Sequence, residues 1–251
     1  MRVSPAEPRQ LPKPPLWKVK GQMTALRIII ADDHPLFRDA LRLTVAQMLP
    51  RAEVVEAESF DRLRARLDEG PETDLVLLDL NMPGTKGFSG LLYLRAQFPA
   101  VPVAIISANE EPRVVRAALD LGAFGYIPKS AVAAEIRAAL AELLAGKPWL
   151  PASLVPDRSA AGAEGEFRAR LTHLTPQQVR VLTMLSEGLP NKQIAHGLGV
   201  SEATAKAHVS AILQKLKVDN RTQAVILAKR LIMDADAPPA SPRPADLTGR
   251  Q

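Results

Sequence analysis

The sequence predicts a doubly wound α/β domain of five parallel strands, (βα)5, followed by an all-α domain of four helices. Three observations carry this. Short β-rich runs alternate with amphipathic segments up to residue 145, and several runs are apolar throughout, as strands covered on both faces are. Beyond residue 174 the strand-like runs stop and helical segments follow, nearly all with their own start and stop signals. The charge divides at the same place. Residues 25–146 hold 13 Lys/Arg against 17 Asp/Glu, giving −4, whereas residues 168–233 hold 10 against 3, giving +7. An acidic domain joined to a basic one predicts that the second alone meets a polyanion.

The predicted strands are LRIIIA, EVVEAE, DLVLLDL, VPVAIIS and AFGYIP. Amphipathic segments at 35–49, 59–69, 87–97 and 111–121 lie between them, and a fifth at 131–145 follows the last strand. Regular β–α alternation gives a parallel sheet with helices on both faces, the flavodoxin-like arrangement, and its ligand site lies beyond the carboxyl ends of the strands. In the C-terminal part, Thr175-Pro176-Gln177-Gln178 reads as a capping box with proline at the first helical position, and Gly188 stops that helix. Asn191 is expected to cap a short helix ending near Gly199. Ser201 caps a longer one to about Leu216, and Asn220 caps the last, 221–232. A short helix, a tight turn at Leu198-Gly199-Val200 and a longer helix form a helix-turn-helix.

The flanks read differently. Residues 1–24 are rich in proline and charge and are expected to be disordered, with Met23 as an alternative start. Residues 147–167 read as a linker between an α/β domain at 25–146 and a helical domain at 168–233, and 234–251 as a disordered tail. The absence of cysteine excludes disulfides, thiolate catalysis and the common zinc sites. The polar N-terminus is no signal peptide, and no run approaches the roughly 18 apolar residues of a membrane span. The chain is expected to be cytoplasmic.

Within the α/β domain, polar residues gather where strands end. Asp32 and Asp33 follow the first, Asp79 ends the third, Ser107 ends the fourth and Lys129 follows the fifth. Parallel strands bring these distant positions to one edge. A single aspartate at a strand end is ordinarily a cap or turn former; the conjunction of four strand ends is what points to a site. Three carboxylates repel one another, and a hard divalent ion with oxygen ligands, Mg2+, resolves the repulsion. A carboxylate beside Mg2+ and a lysine is a nucleophile toward phosphorus.

Asp32-Asp33-His34-Pro35, Asp79-Leu80-Asn81-Met82-Pro83 with Gly87, Ser107-Ala108, and Tyr126 with Lys129 resemble the signature of receiver domains over residues 25–145. The resemblance implies that Asp79 is the phosphoacceptor, and that Asp32, Asp33, Asp79 and the Asn81 backbone carbonyl hold Mg2+. It implies that Lys129 pairs with the phosphoryl group, that Ser107 bonds to it after moving, and that Tyr126 changes rotamer with Ser107. Receivers often carry proline after the lysine; here Ser130 follows it and Pro128 precedes it. His34 is not read as a phosphohistidine, which needs display on a helix.

On the helix after Ser201, Ala205, Val209, Ile212 and Leu216 form one apolar stripe. Ala203, Lys206, Ala207, Ser210, Gln214 and Lys217 make a small, polar, basic face fit for a major groove. Residues 171–232 resemble the LuxR/NarL-type helix-turn-helix. That resemblance implies base contacts by Lys206, Ala207 and Ser210, phosphate contacts near Lys192, and Ser201, Thr204 and Gln214 among the DNA-contacting residues. It also implies dimerisation through the last helix. Ala205 stands where the family often has valine, and Ser210 where some members have lysine.

Together the halves predict a two-component response regulator and not an enzyme beyond self-phosphorylation and slow autodephosphorylation. A histidine kinase, promoter DNA, a second copy of the chain and RNA polymerase are the expected partners. In the simplest coupling, the unphosphorylated receiver covers the recognition helix, and phosphorylation frees it and favours dimers. A phosphorylation-independent DNA binder and a phosphatase or phosphotransferase using Asp79 in turnover are the competing readings.

Overall fold

A computed structural model describes residues 26–154 and 162–233. The expected disordered N-terminal extension, the alternative start at Met23 and the C-terminal tail lie outside the described residues.

The first domain alternates strand and helix: β1 (Arg27–Ala31), α1 (Pro35–Met48), β2 (Glu53–Ala57), α2 (Phe60–Glu69), β3 (Leu75–Asp79), α3 (Ser89–Gln97), β4 (Val103–Ser107), α4 (Pro112–Asp120), β5 (Gly125–Pro128) and α5 (Ala133–Leu144). All strand pairs are parallel and the order is β2-β1-β3-β4-β5. β1, β3 and β4 are buried along their whole length, which is why their sequences are apolar except at one end of each, where Arg27, Asp79 and Ser107 stand. Period-two alternation sends Ile28, Ile30, Leu75 and Leu77 to the side of α1 and α5. Ile29, Val76 and Leu78 go to the side of α2, α3 and α4.

The β5 edge is extended by residues assigned to the linker. Gly125 bridges to Trp149, and the Tyr126 amide donates to the Trp149 carbonyl at 3.0 Å. The linker stretch also contains a helix absent from the expected four, α6 (Gly162–Leu171), whose Phe167 and Leu171 are buried. Its alanines and glycines give almost no apolar periodicity, so tertiary packing and not sequence pattern marks it.

The C-terminal domain continues with α7 (Pro176–Ser186), α8 (Asn191–Leu198), α9 (Glu202–Leu216) and α10 (Arg221–Ala228), and a π-helical turn over Lys229–Met233 closes the last helix. Three caps form as expected. Thr175 and Gln178 exchange side-chain and backbone bonds at 3.3 and 3.1 Å, Ser201 Oγ accepts from Thr204 N at 3.1 Å, and Asn220 Oδ1 accepts from Gln223 N at 2.9 Å. The fourth does not. Pro190, extended at φ −69° and ψ 160°, takes the position before α8, and Asn191 is its first helical residue. With a proline preset for that position, Asn191 is free to accept from Arg221 Nη1 at 3.0 Å, tying α8 to α10. Gly199, at φ +65°, makes the left-handed turn between α8 and α9 that a side chain would strain.

The two domains pack through a seam of α3 on α7 and α4 on α6. Phe88 N donates to Ile232 O at 2.8 Å, Lys86 pairs with Glu187 at 3.2 Å, and Arg168 pairs with Asp120 at 3.6 Å. The expected cover over the recognition helix is not what forms. Lys206, Ala207, Ser210 and Gln214 are exposed, because the receiver meets the C-terminal domain at α6, α7 and the turn that follows α10.

Candidate functional site

Three strand ends at the carboxyl edge of the sheet build the charged site. β1 delivers Asp32, with its side chain 1% exposed, and Asp33; β3 delivers Asp79, 2% exposed; β5 delivers Lys129. One candidate ligand atom from each of Asp32, Asp33, His34 and Asp79 lies within 4.8 Å of the others. Lys129 Nζ lies 2.8 Å from Asp79 Oδ2 and 2.8 Å from Asp32 Oδ2, so one ammonium bridges two buried carboxylates. Its contact with Asp79 is a directed hydrogen bond, whereas its contact with Asp32 Oδ2 is ionic without hydrogen-bond alignment.

The turn after β1 is held by its own atoms. His34 N donates to Asp32 Oδ1 at 2.8 Å, and Asp32 N continues the β-ladder by donating to Ala57 O at 3.1 Å. His34 starts α1, and its Nδ1 lies 2.7 Å from Asp33 Oδ1 and 3.3 Å from Asp32 Oδ1. Position beside the carboxylates, not on a helix face, is what distinguishes this histidine. Its proximity to three aspartates was not legible from spacing.

Burial raises the Asp79 pKa, and Lys129 offsets this only in part because Asp32 adds a like charge. Burial alone would lower the Lys129 pKa, but its close contacts with Asp32 and Asp79 and their charges reverse the effect and hold it above the ordinary lysine value. The two directions agree physically: the lysine is firmly cationic, and a single cation leaves the carboxylates under-neutralised. A hard divalent ion fits this donor set, since Asp32 Oδ2 and Asp33 Oδ1 are buried without a hydrogen bond and oxygen atoms dominate.

Asn81 N donates to Asp79 Oδ1 at 3.3 Å and the residue is exposed, two positions after the aspartate. Ser107 ends β4 one step beyond Ile106, the residue paired with Asp79. Ser107 Oγ accepts from Asn109 N at 3.1 Å, and the Tyr126 hydroxyl donates to the Asn109 carbonyl. Both side chains are fully buried, so Tyr126 lies inward and the β4–α4 loop is tied to them through Asn109. Asn109 thus joins two residues that sequence reasoning had linked only by resemblance. The peptide bonds around Lys129 are trans.

In the C-terminal domain the apolar stripe Ala205, Val209, Ile212 and Leu216 is buried as expected. Lys192 on α8 and Ser201, Thr204, Lys206, Ala207, Ser210 and Gln214 in and around α9 are all exposed. Ser201 Oγ is engaged in the cap and bonded to Thr204 Oγ1 at 2.8 Å, so these two hydroxyls first serve the helix start.

Comparison with known proteins matches both halves. The response regulator receiver domain profile covers residues 28–141, and that of the bacterial regulatory proteins, luxR family, covers residues 172–228. The glycerol metabolism activator of Pseudomonas putida is 40% identical over 208 residues, 80% of this chain and 94% of that protein. The nitrate/nitrite response regulator protein NarL of Escherichia coli (strain K12) is 33% identical over 201 residues, covering 79% and 93%. A solved chain of the Salmonella typhimurium RcsB response regulator is 28% identical with a TM-score of 0.49, covering 82% of this chain and 99% of that one. With a receiver fold ending in an acidic edge and a basic helix-turn-helix behind it, the chain belongs to the two-component response regulators that join a receiver to a luxR-family DNA-binding domain and regulate transcription.

Proposed function

We propose that Asp79 is the phosphoacceptor of this regulator and that its phosphorylation by a histidine kinase governs DNA binding by α9. The observation that carries the reading is the buried Asp79 carboxylate, bonded to Lys129 at 2.8 Å in a cluster with Asp32 and Asp33. Asp32, Asp33, Asp79 and the Asn81 carbonyl are the residues that would hold Mg2+. The ion supplies positive charge that lowers the barrier for an anionic phosphoryl group to approach a carboxylate. An Asp79 oxygen forms the new P–O bond as the donor's P–N bond breaks, its electron pair remaining on the imidazole. Lys129 holds a phosphoryl oxygen, and Ser107 and Tyr126 read the new charge through the Asn109 loop.

The experiment is incubation with Mg2+ and acetyl phosphate followed by intact-mass measurement. One added phosphoryl group, labile to base, is expected on the parent chain and none on Asp79→Asn; equal labelling of the variant would overturn the assignment. Slow autodephosphorylation is the expected signal decay.

On the DNA side, Lys206, Ala207, Ser210 and Gln214 meet base edges, and Lys192, Ser201 and Thr204 meet the backbone. Their exposure with the receiver packed on α6 and α7 favours control over how two C-terminal domains come together on DNA, not a physical cover over α9. The active species is a dimer on promoter DNA, contacting RNA polymerase in the cytoplasm. No described helix is long and apolar enough to cross a membrane.

A further inference from the structure

We infer that Arg38 is a positioning residue for the acidic site, gripping the turn that carries Asp32 and Asp33 and using Glu56 as its anchor. The inference rests on the reading of Asp32, Asp33 and Asp79 as a Mg2+-binding set. Arg38 lies on the first turn of α1, and its side chain is only 16% exposed. Its Nη1 donates to the Asp32 carbonyl at 2.8 Å, and its Nε donates to Glu56 Oε2 at 2.6 Å. Glu56 belongs to β2, on the residue paired with Ile30, and its other oxygen lies 3.2 Å from Arg42 Nε. The guanidinium therefore spans from the neighbouring strand to the peptide after Asp32.

Besides the Lys129 contact at its Oδ2, the Asp32 residue is fastened at three further atoms. Its amide is bonded to Ala57 O, its carbonyl to Arg38 and its Oδ1 to His34 N. Of these, the Arg38 bond is the one made to the carbonyl of the peptide that leads into Asp33. Such a grip is needed because three carboxylates are gathered here with one lysine among them. Without a fixed backbone, the exposed end of the turn relieves the repulsion by swinging Asp33 outward. A planar, two-pronged donor with a permanent charge suits the task better than a lysine, which offers a point charge and no fork. Arg38 touches no carboxylate of the site. It acts on Asp32 and Asp33 through the backbone, as partners behind metal ligands do.

The test is Mg2+ titration of the full chain by isothermal calorimetry, paired with amide hydrogen exchange at Asp33 and His34 in metal-free protein. Arg38→Met is expected to weaken Mg2+ binding about 10–100-fold and to speed exchange at both amides, with Glu56→Met close behind. The double variant should be little worse than Arg38→Met alone, because both remove one grip. Arg38→Lys should recover only part of the affinity, and Arg38→Gln, whose amide reaches about as far as the Arg38 Nε and so can meet Glu56 but not the Asp32 carbonyl, serves if Arg38→Met does not fold. Unchanged Mg2+ affinity and unchanged exchange in a folded Arg38 variant would overturn the inference. So would a loss of thermal stability with neither readout moved, which marks a purely structural arginine. If the parent chain binds no Mg2+, the metal reading fails, and the exchange at Asp33 and His34 alone decides whether Arg38 holds the turn.

Discussion

Gly125→Ala tests the unexpected pairing of the linker onto the sheet. A Cβ at Gly125 would stand 2.8 Å from Leu143 Cδ2, 2.9 Å from the Trp149 carbonyl oxygen and 3.5 Å from the Trp149 amide nitrogen. The leucine tip has some freedom to rotate, although its site is fully packed. The Trp149 carbonyl has none, since it accepts the Tyr126 amide bond at 3.0 Å. The alanine methyl must therefore displace backbone. Overpacking of this kind costs about 1–3 kcal/mol, and loss of the Tyr126 bond adds about 0.5–1.5 kcal/mol. A total near 3 kcal/mol is a large share of the roughly 5–15 kcal/mol that holds a domain folded. At about 4 °C per kcal/mol for a domain of this size, the melting temperature should fall by roughly 12 °C. The assay is thermal and urea unfolding, with amide exchange at Tyr126 reporting whether the strip at Trp149 has peeled away. A variant within 0.5 kcal/mol of the parent by the usual ~0.5 kcal/mol tolerance of surface sites, with Tyr126 still protected, would refute the close approach of Trp149 to β5.

Asp74 is half-buried and accepts from Arg27 N at 2.8 Å, yet burial raises its pKa beyond what that bond offsets. A carboxyl whose folded pKa is raised opposes folding once it ionises, so Asp74→Asn should stabilise the chain at pH 7.5. The gain should shrink as pH falls toward the unfolded value of about 4; a loss of stability at pH 7.5 in urea titrations would mean the charged bond to Arg27 dominates. Ser201→Ala removes the cap of α9 and should cost about 1 kcal/mol, with Ser201→Asp restoring it in the same melts. Lys206→Ala should cost about 1–3 kcal/mol on a selected operator, with relaxed preference at one base pair, if the lysine reads a guanine edge. If it contacts only phosphate, affinity falls almost equally on all sequences and the salt slope drops by about 1. No change by either measure would remove Lys206 from the interface.

What was legible in the sequence was whatever a local pattern determines. Continuous apolar runs marked β1, β3 and β4, and parallel pairing then forced Asp32, Asp33, Asp79 and Lys129 to one edge without any knowledge of distances. The exposed face of α9 followed from the spacing of Ala205, Val209, Ile212 and Leu216. What was not legible depended on partners distant in sequence. Nothing around Arg38 announces Glu56 on another strand, and nothing in Lys147–Trp149 says that Gly125 leaves room beside it. Asn191 looks like a cap until Pro190 takes that position and Arg221 arrives from thirty residues away. The helix Gly162–Leu171 has too little apolar contrast to be seen before Phe167 and Leu171 find their pockets. The seam of α3 on α7 was hidden for a related reason: both helices had already met the ordinary demand of a core-facing stripe.

The two apolar clusters are unequal in reach. The one beneath α1 and α5 is confined to the first domain. The other runs from Ile29, Val76 and Leu91 through Val179 and Leu182 to Ile212 and Ile232 without a break. Apolar contacts that cross a domain boundary couple the free energies on either side, so melting of one domain removes stabilising neighbours from the other. In differential scanning calorimetry the full chain should absorb heat in a single merged peak above the midpoints of the separated halves. The receiver's α1–α5 side should report the same transition with or without its neighbour, only at a lower temperature when alone. Cooperativity in this molecule thus enters the receiver through the layer of α2, α3 and α4 and reaches the opposite layer only by way of the sheet between them.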